Sequence, residues 1–414
     1  MNTKTFKAYF VLCIVLVTAV TTKAQLPDTS FKFGVWQFAA EPIKRDLYPE
    51  ILGRFSNIGW KDIEIQPDVW DWTIFDNDII TRLEGGLPVM FKVYVKELAP
   101  DWLYTIGGVP KVTEKDDAGV ITGYSPYYLD ANYNFYFKRM ITKVREHVEQ
   151  YPPEIRNKIV AVQACFANTG DYIDYKGTVP SEYNIKSPQF DSLFYVYTTY
   201  YYNEYKNTNP KITLISNPGN QGKDEALWLL QNCPNTWIKT GSLGKGYQLN
   251  DEKTKAAWLY NILNTPQSGS FVRARCEITG PNLYYGWWTK AKYKNMFALL
   301  SNCIYWGIDW SNQTSEFIAD HKFDEAFNFF NKYAGQKDPA TATNAMCALR
   351  DALDASDAVR FPASVYGKAN RFNKARYQKI AADFVAYGAK LEDPGIAILF
   401  EADNLDAAGT NDVG

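Results

Sequence analysis

The chain has 414 residues, of which 46% are hydrophobic and 22% are charged, a composition typical of a globular protein with a sizeable core. Its net charge is −2 and it has no run of basic residues, so nucleic acid is not an expected partner. Aromatic residues reach 16%, more than core packing usually requires, which indicates a surface that binds flat, hydroxylated ligands.

The N-terminus has the features of a secretory signal. Lys4 and Lys7 precede the apolar run Ala8–Val20, and Thr22-Lys23-Ala24 is a candidate cleavage site. The run is short for a membrane span. We therefore expect residues 1–24 to be a signal peptide and the exported chain to begin near Gln25, without a transmembrane segment.

Strands and helices are predicted to alternate from Phe31 to Gly335. The predicted strands are Phe31–Phe38, Trp60–Gln66, Pro88–Val95, Ile159–Phe166, Lys211–Asn217, Thr236–Thr240, Phe271–Ile278 and Asn302–Asp309. The predicted helices are Pro42–Asn57, Asn77–Glu84, Asp130–Gln150, Ser187–Asn207, Asp224–Asn232, Asp251–Leu263, Lys290–Leu300 and Phe317–Tyr333. Eight such units predict an α/β fold, a (β/α)8 TIM barrel over residues 25–337. A doubly wound sheet is the competing fold, but the turn after Phe38 lacks its glycines.

The pattern changes after the barrel. Ala340–Leu353 and Asn373–Lys390 are predicted helices, and Ile396–Phe400 is a candidate strand close to the end of the chain. We expect residues 338–414 to form a mainly helical C-terminal segment that leads into a truncated further domain.

Cysteine and histidine usage indicates which chemistry is not expected. The five cysteines after the signal segment are predicted to be buried thiols: Cys165, Cys233, Cys276, Cys303 and Cys347. The two histidines, His147 and His321, lie on predicted helices. With so few, neither a histidine-based metal site nor a Ser-His-Asp triad is expected, and no cofactor is predicted.

The seventh predicted strand carries the leading catalytic candidate. Its residues alternate between an apolar face (Val272, Ala274, Cys276 and Ile278) and a charged face (Arg273, Arg275 and Glu277). Barrel enzymes place their chemistry at the carboxyl ends of the strands, which favours Glu277 as a catalytic carboxylate. A structural ion pair with Arg275 or Lys239 is the alternative.

Aromatic residues gather at or after the predicted strand ends: Trp36, Trp70, Trp102, Tyr285, Trp287, Trp288, Trp306 and Trp310. A single aromatic residue of this kind more often packs in the core than binds a ligand. A group of them beside a carboxylate favours a cleft in which sugars stack on indole rings. Four polar side chains in similar positions could bond to sugar hydroxyls: Asn168, Asn217, Gln221 and Lys239.

Glycosidic cleavage generally uses two carboxyl groups, one of which must hold a proton. Asp171, in the sequence NTGD after the fourth predicted strand, is the leading second candidate, with a turn-stabilising aspartate as the alternative interpretation. Asp174 is the next candidate in the same loop.

Two further acids could contact substrate. If the face of DIEIQPD that carries Glu64 points inward, we expect Glu64 to pair with Lys92, Arg273 or Arg275 in a buried ionic layer. Asp309 either orients a substrate hydroxyl or anchors Arg273.

These features resemble the retaining glycoside hydrolase clan of (β/α)8 barrels that includes β-galactosidases and β-agarases. The resemblance covers about residues 31–335 and rests on the strand order, on Glu277 and on CIYWGIDW in predicted strand eight. The stretch PDWLYTIGGVPKV, followed by YYLDANYNFYFKRMI, looks like the third-strand loop and helix of exported bacterial β-galactosidase-like proteins. The resemblance implies that Glu277 is the nucleophile.

The chain departs from this clan at the fourth strand. The clan's acid/base is a Glu, usually after Asn, whereas this chain reads FANTGD and offers Asp171 as a shifted, shorter substitute.

The sequence therefore predicts an exported, retaining glycoside hydrolase that acts on β-linked, galactose-containing oligo- or polysaccharides. One alternative is a non-catalytic glycan-binding barrel that has lost its acid/base. Another is a lyase that acts on acidic polysaccharide, suggested by Lys92, Lys96 and Lys239 together with the two arginines.

Overall fold

The computed structural model describes residues 32–38, 43–168, 170–218, 222–241, 257–266, 270–278, 296, 299–300, 303–304, 306–319, 321–337, 362–367 and 374–386. Eight described strands form a closed, all-parallel barrel in the order β1-β2-β3-β4-β5-β6-β7-β8. They are β1 Gly34–Phe38, β2 Ile51–Gly59, β3 Val89–Tyr94, β4 Ile159–Gln163, β5 Thr213–Ser216, β6 Trp237–Lys239, β7 Ala274–Ile278 and β8 Trp310–Gln313. The predicted TIM barrel is confirmed.

Helices connect and cover the strands. They are α1 Trp60–Ile63, α2 Thr73–Glu84, α3 Trp102–Thr105, α4 Ala131–Gln150, α5 Pro153–Arg156, α6 Ser187–Tyr205, α7 Lys223–Asn232, α8 Ala257–Asn264, α9 Ser315–Ile318, α10 Asp324–Tyr333, α11 Ala363–Tyr366 and α12 Lys374–Ala386. The Asp130 carboxylate caps α4 by accepting from the backbone N–H groups of Asn132 and Tyr133. Within the described residues, no helix has the combination of length and apolar character that crossing a bilayer requires.

The second barrel strand is not the predicted Trp60–Gln66 but β2, which lies inside the predicted helix Pro42–Asn57. Ile51, Phe55 and Ile58 recur at helical spacing, yet the segment is buried on both faces, as strands of a parallel sheet are, so it shows no alternation. The alternating residues of Trp60–Gln66 instead form α1 and one edge of a short hairpin, Glu64–Gln66 with Val69–Trp70.

The eighth strand is also displaced from its prediction, Asn302–Asp309. Cys303, Ile304 and Trp306 are helical, and Gly307, at φ 78°, follows them at the helix end. A buried apolar run cannot by itself be assigned to a strand or a helix. The true strand, WSNQ, reads as a loop because its polar side chains are buried in the barrel.

The long predicted helix Phe317–Tyr333 is two helices, α9 and α10, joined by a turn. His321 lies in that turn with a left-handed φ of 56°, so its predicted helical position is wrong. His147 lies on α4 as predicted.

Large apolar side chains fill part of the barrel interior. One buried cluster, which we call the barrel plug, consists of Trp36, Phe55, Met90, Ala161, Ile215 and Trp310. Gly53 on β2 makes room for it, since a Cβ at this position would lie 2.3 Å from two atoms of the Trp36 ring. Outside the barrel, the apolar faces of the helices form two buried clusters, one with α1–α6 and one with α7–α10.

The long connection from Ala99 to Tyr128 after β3 has structure of its own. It contains α3 and a hairpin of Lys111–Lys115 with Ile121–Pro126. Of the C-terminal predictions, α12 lies within the predicted helix Asn373–Lys390, whereas Ala340–Leu353 and Ile396–Phe400 lie outside the described residues, as do residues 1–24. The signal peptide and the domain boundaries stay predictions.

Candidate active site

Three charged side chains from different strand ends meet at the carboxyl end of the barrel. Lys239 ends β6, Glu277 lies near the end of β7, and Asp171 lies in the loop that follows β4. The Lys239 Nζ atom lies 3.1 Å from Glu277 Oε1 and also forms an ion pair with Asp171 Oδ1. One buried ammonium therefore joins the two carboxylates that the sequence singled out.

The β7 alternation explains how Glu277 reaches this position. Ala274, Cys276 and Ile278 are fully buried and pack outward in the apolar layer beneath the helices. Arg275 and Glu277 consequently point into the barrel. The predicted two-faced strand is confirmed.

Arg275 lies under Glu277 as a fully buried guanidinium. Its Nη1 donates to Asn312 Oδ1 at 2.7 Å, its Nη2 donates to Gln163 Oε1, and Nη1 lies 3.6 Å from Glu277 Oε2. Its guanidinium group also lies over the Phe55 ring, with the guanidinium carbon 4.7 Å from the ring centre. Both carboxylate oxygens of Glu277 thus face a cation.

The charges around Glu277 set its protonation state. Burial acts to raise its pKa, but the positive charges of Lys239, Arg275 and Lys92 outweigh this effect, so its pKa lies below the usual glutamate value. The side chain is nevertheless 24% exposed, so an ionised carboxylate is accessible at the carboxyl end of the barrel. This is the state that a nucleophile requires.

Asp171 is the more accessible of the two acids, with 38% of its side chain exposed. Asn217, just after β5, donates from Nδ2 to Asp171 Oδ1 at 3.4 Å. The loop bends sharply at Gly170, φ 85°, where a Cβ would lie 3.0 Å from Gln163 Nε2. This tight turn directs Asp171 toward Lys239.

The shared cation limits the separation of the two acids. Because Asp171 and Glu277 each contact Lys239 Nζ, their nearest oxygens can be no farther apart than two ion-pair contacts laid end to end. Retaining glycosidases hold their carboxyl groups about 5–5.5 Å apart, whereas inverting enzymes need about 6.5–9.5 Å to admit a water. The geometry is compatible with the shorter distance.

Lys92 lies deeper in the barrel, on β3. Its Nζ is 4.9 Å from the centre of the Tyr94 ring and 5.6 Å from that of Phe55. Burial lowers its pKa, although Glu277 and Cys165 act in the opposite direction. Lys92 contributes positive charge from below the cleft and does not pair with Glu64.

Glu64 lies outside the barrel interior, which corrects its predicted pairing. Its fully buried carboxylate pairs with Arg139 of α4 and accepts from Trp60 Nε1 at 2.8 Å and from the Asp68 backbone N–H at 2.9 Å. Burial raises the pKa of Glu64 despite these donors. The residue ties α1 and its hairpin to α4 and does not reach the cleft.

Asp309 is likewise structural. It pairs with Arg273 at 2.7 Å and with Lys337 at 3.1 Å, and it accepts from the Ala274 backbone N–H at 2.7 Å. These contacts lie before β8 and at the start of β7, the end of the barrel away from Glu277. Of its two predicted roles, the structure supports the anchor of Arg273.

Four of the predicted stacking platforms have almost no accessible surface. Trp36 and Trp310 belong to the barrel plug, and Trp306 packs among the helices. Trp102 is buried and donates from Nε1 to the Glu64 carbonyl at 2.8 Å. A ring enclosed by protein cannot stack on a sugar, so these assignments are wrong.

The remaining predicted contacts differ in their positions. Trp70 is half-buried in the short hairpin and stacks on Trp72, with ring centres 5.4 Å apart. Asn168 is buried, and its backbone N–H donates to Tyr128 at 2.9 Å while its Nδ2 donates to the Asp174 carbonyl at 3.3 Å, so it holds the loop. Tyr285, Trp287, Trp288 and Gln221 lie outside the described residues.

The sequence analysis missed Gln163 and Asn312, the two amides that hold Arg275. Gln163 ends β4, and Asn312 lies beside Glu277 on β8. A polar residue at the end of an apolar strand such as IVAVQ was the available signal, because an inward amide in a barrel requires a partner.

No protein-family model and no curated protein matches the chain. Among solved structures, the catalytic domain of a β-amylase from Paenibacillus polymyxa is 8% identical, over 74% of this chain and 99% of that chain, with a TM-score of 0.41. A β-galactosidase from the haloarchaeon Halorubrum lacusprofundi is 12% identical, over 79% and 63%, with a TM-score of 0.45. Endo-glycoceramidase II from Rhodococcus sp., solved as a lactosyl-enzyme intermediate, is 12% identical over 71% and 75%, with a TM-score of 0.45. Similarity at this level describes the barrel and not the activity.

Proposed function

We propose that the chain is a retaining glycoside hydrolase that cleaves β-linked, galactose-containing oligo- or polysaccharides. The observation that carries the proposal is the meeting of Asp171 and Glu277 at Lys239, in the cleft at the carboxyl end of the barrel. The galactose preference depends on the sequence resemblance alone.

In the first step, ionised Glu277 attacks the anomeric carbon, and the glycosidic oxygen leaves with a proton from Asp171. In the second step, Asp171 takes a proton from water, which attacks the same carbon and releases Glu277. The cations around Glu277 keep it ionised for the attack.

Lys239 imposes a condition on this mechanism. A carboxylate in contact with an ammonium is held in its ionised form, which cannot donate a proton. A sugar that enters between the two acids must therefore part Asp171 from Lys239. Loss of this ion pair, together with exclusion of water by the sugar, favours the protonated acid that the first step needs.

The test is hydrolysis of aryl β-glycosides and galactans by the wild type, Glu277→Gln and Asp171→Asn. Glu277→Gln should lose roughly a thousand-fold or more in kcat on every substrate. Asp171→Asn should lose less on activated aryl glycosides, whose leaving groups need no proton, and azide should restore its turnover. Asp116→Asn is the control, since Asp116 Oδ1 accepts from the Ala118 and Val120 backbone N–H groups in an exposed turn and is not a candidate acid.

Non-catalytic glycan binding is the second candidate, favoured by the ion pair between Asp171 and Lys239 and by the absence of a glutamate in FANTGD. Binding of galactan without turnover in the wild type would support this candidate. If Glu277→Gln loses its activity and Asp171→Asn does not, the chain is a hydrolase whose acid/base is another group.

We also propose that the protein is exported after removal of residues 1–24. The support is the basic and apolar pattern before Gln25. N-terminal sequencing of protein from the culture medium and from the cell envelope tests this proposal.

A further inference from the structure

A second cluster of ionisable side chains lies at the opposite end of the barrel. Glu50 immediately precedes β2, His321 lies in the turn between α9 and α10, and Asp324 is the first residue of α10. One potential ligand atom from each side chain lies within 4.8 Å of the other two. No residue of the candidate active site belongs to this cluster.

Neighbouring groups hold the Glu50 backbone and the His321 ring in position. Asn331 of α10 donates from Nδ2 to the Glu50 carbonyl at 2.6 Å and accepts from the Val35 backbone N–H at 2.7 Å. The Tyr48 ring stacks on His321, with ring centres 4.6 Å apart and planes 11° apart. The cluster is therefore built on the barrel and not on a free loop.

Two carboxylate oxygens in the cluster have no N–H or O–H donor among the described residues. Glu50 is only 2% exposed, yet its Oε1 has no hydrogen-bond partner among the described residues, and the same holds for the buried Oδ1 of Asp324. In the part of the chain that the structure describes, no lysine or arginine pairs with either acid. His321 Nδ1 lies 2.8 Å from Asp324 Oδ2. The Glu50 carboxyl group also interacts directly with that of Asp324, so the two acids face each other.

We propose that Glu50, His321 and Asp324 bind one divalent first-row transition-metal ion, of which Zn²⁺ is the working example. A cation would satisfy both orphaned oxygens and offset the two negative charges. An imidazole beside carboxylates favours such an ion over Ca²⁺ or Mg²⁺, which prefer oxygen ligands. The sequence had led us to expect no histidine-based site, but one histidine with two acids is sufficient.

Access and coordination agree with this assignment. The side chains of His321 and Asp324 are 49% and 31% exposed, so an ion can enter from solvent and water can complete its coordination. Metal–ligand bonds of about 2.0–2.2 Å require the three ligand atoms to approach one another slightly.

The position of the ion indicates a structural role. It would join the segment before β2 to the helix after β8, which are distant in sequence and adjacent across the point where the barrel closes. Residues at this end of a TIM barrel contribute to stability, whereas catalysis uses the other end. A ligand that binds only the folded state raises its stability.

Histidine-selective NMR on the full chain without a histidine tag tests the proposal, because the chain has only two histidines. Zn²⁺ should shift the imidazole signals of His321 and leave those of His147 in place, with saturation at one equivalent and a higher Tm. His147 is a built-in control, since its Nε2 bonds to Asp76 at 2.6 Å and its ring stacks on Trp72.

Three variants complete the test. His321→Ala, at an exposed position, and Glu50→Gln should abolish the rise in Tm, whereas Glu316→Gln, an exposed acid on α9, should retain it. An unchanged His321 spectrum at millimolar Zn²⁺ would overturn the proposal. So would a Zn²⁺-dependent rise in Tm that survives in His321→Ala.

Discussion

The Lys239 Nζ atom lies 3.1 Å from Glu277 Oε1 while it also contacts Asp171, so one buried ammonium bridges an acid of β7 and an acid of the loop after β4. Such a cation stabilises the ionised form of both neighbours. Its removal should therefore change the pH dependence of the reaction as well as its rate.

We predict that Lys239→Met lowers kcat/KM about 100-fold and moves the acidic limb of its pH profile to higher pH. The reason is that Lys239 lowers the pKa of Glu277, so that without it the nucleophile is protonated at higher pH. Initial rates on an aryl β-glycoside across the pH range measure both effects. Lys138→Met, on the outer helix α4, is the control and should behave as the wild type. An unshifted limb would show that Lys239 does not govern the ionisation of Glu277.

The fold should lose part of its stability in acid through Glu277. Because the pKa of Glu277 is lower in the folded protein than its usual value of 4.5, ionised Glu277 stabilises the fold above that pH, and this contribution disappears as the pH falls through the folded pKa. Glu277→Gln lacks the contribution at every pH. Urea unfolding at several pH values should show the free-energy difference between wild type and variant shrinking on acidification. A free-energy difference that does not change with pH would contradict the lowered pKa of Glu277.

Arg275→Lys should destabilise the protein by about 3–5 kcal/mol, because a buried charge network loses a partner. Lysine cannot reproduce the planar donor pair that reaches Asn312 and Gln163, and it leaves both amides without donors. Urea denaturation measures the loss, with Lys332→Arg on α10 as a surface control. A loss below about 1 kcal/mol would show that the two amides find other partners.

Gly53→Ala should destabilise the barrel by about 1–3 kcal/mol, because the new methyl group would overlap the Trp36 ring. Gly123→Ala is the matched control, since its Cβ would lie 3.6 Å from the nearest atoms, in ordinary contact with Lys96. Thermal unfolding should show a lower Tm for the first variant and little change for the second. Equal Tm values would mean that Trp36 moves without cost.

The charged face of β7 was predictable because a strand with polar residues on one side alternates visibly. The sequence also indicated Lys239 and Arg275 as possible ion partners of Glu277, and the structure shows both. It could not reveal Gln163 and Asn312, whose roles depend on which strands adjoin β7 in the closed barrel. Such long-range adjacency has no local pattern.

The positions of β2 and β8 were predicted wrongly for opposite reasons. Strand β2 is buried on both faces, so Ile51, Phe55 and Ile58 resemble one face of a helix. Strand β8 carries the buried polar side chains Ser311, Asn312 and Gln313 and therefore resembles a loop. The prediction that the tryptophans line a sugar-binding cleft was wrong for a related reason. A Trp near a strand end suits a cleft wall and the barrel plug equally well, and Trp36 and Trp310 belong to the plug.

The measurement that tests the central claim most directly is covalent trapping of the nucleophile. The protein would be treated with an activated aryl galactoside that carries fluorine in place of the hydroxyl next to the anomeric carbon, then digested and sequenced by mass spectrometry. We expect a single sugar adduct on the peptide that contains Glu277, absent from Glu277→Gln. An adduct on another carboxylate, or hydrolysis of the parent glycoside with inverted anomeric configuration, would contradict it.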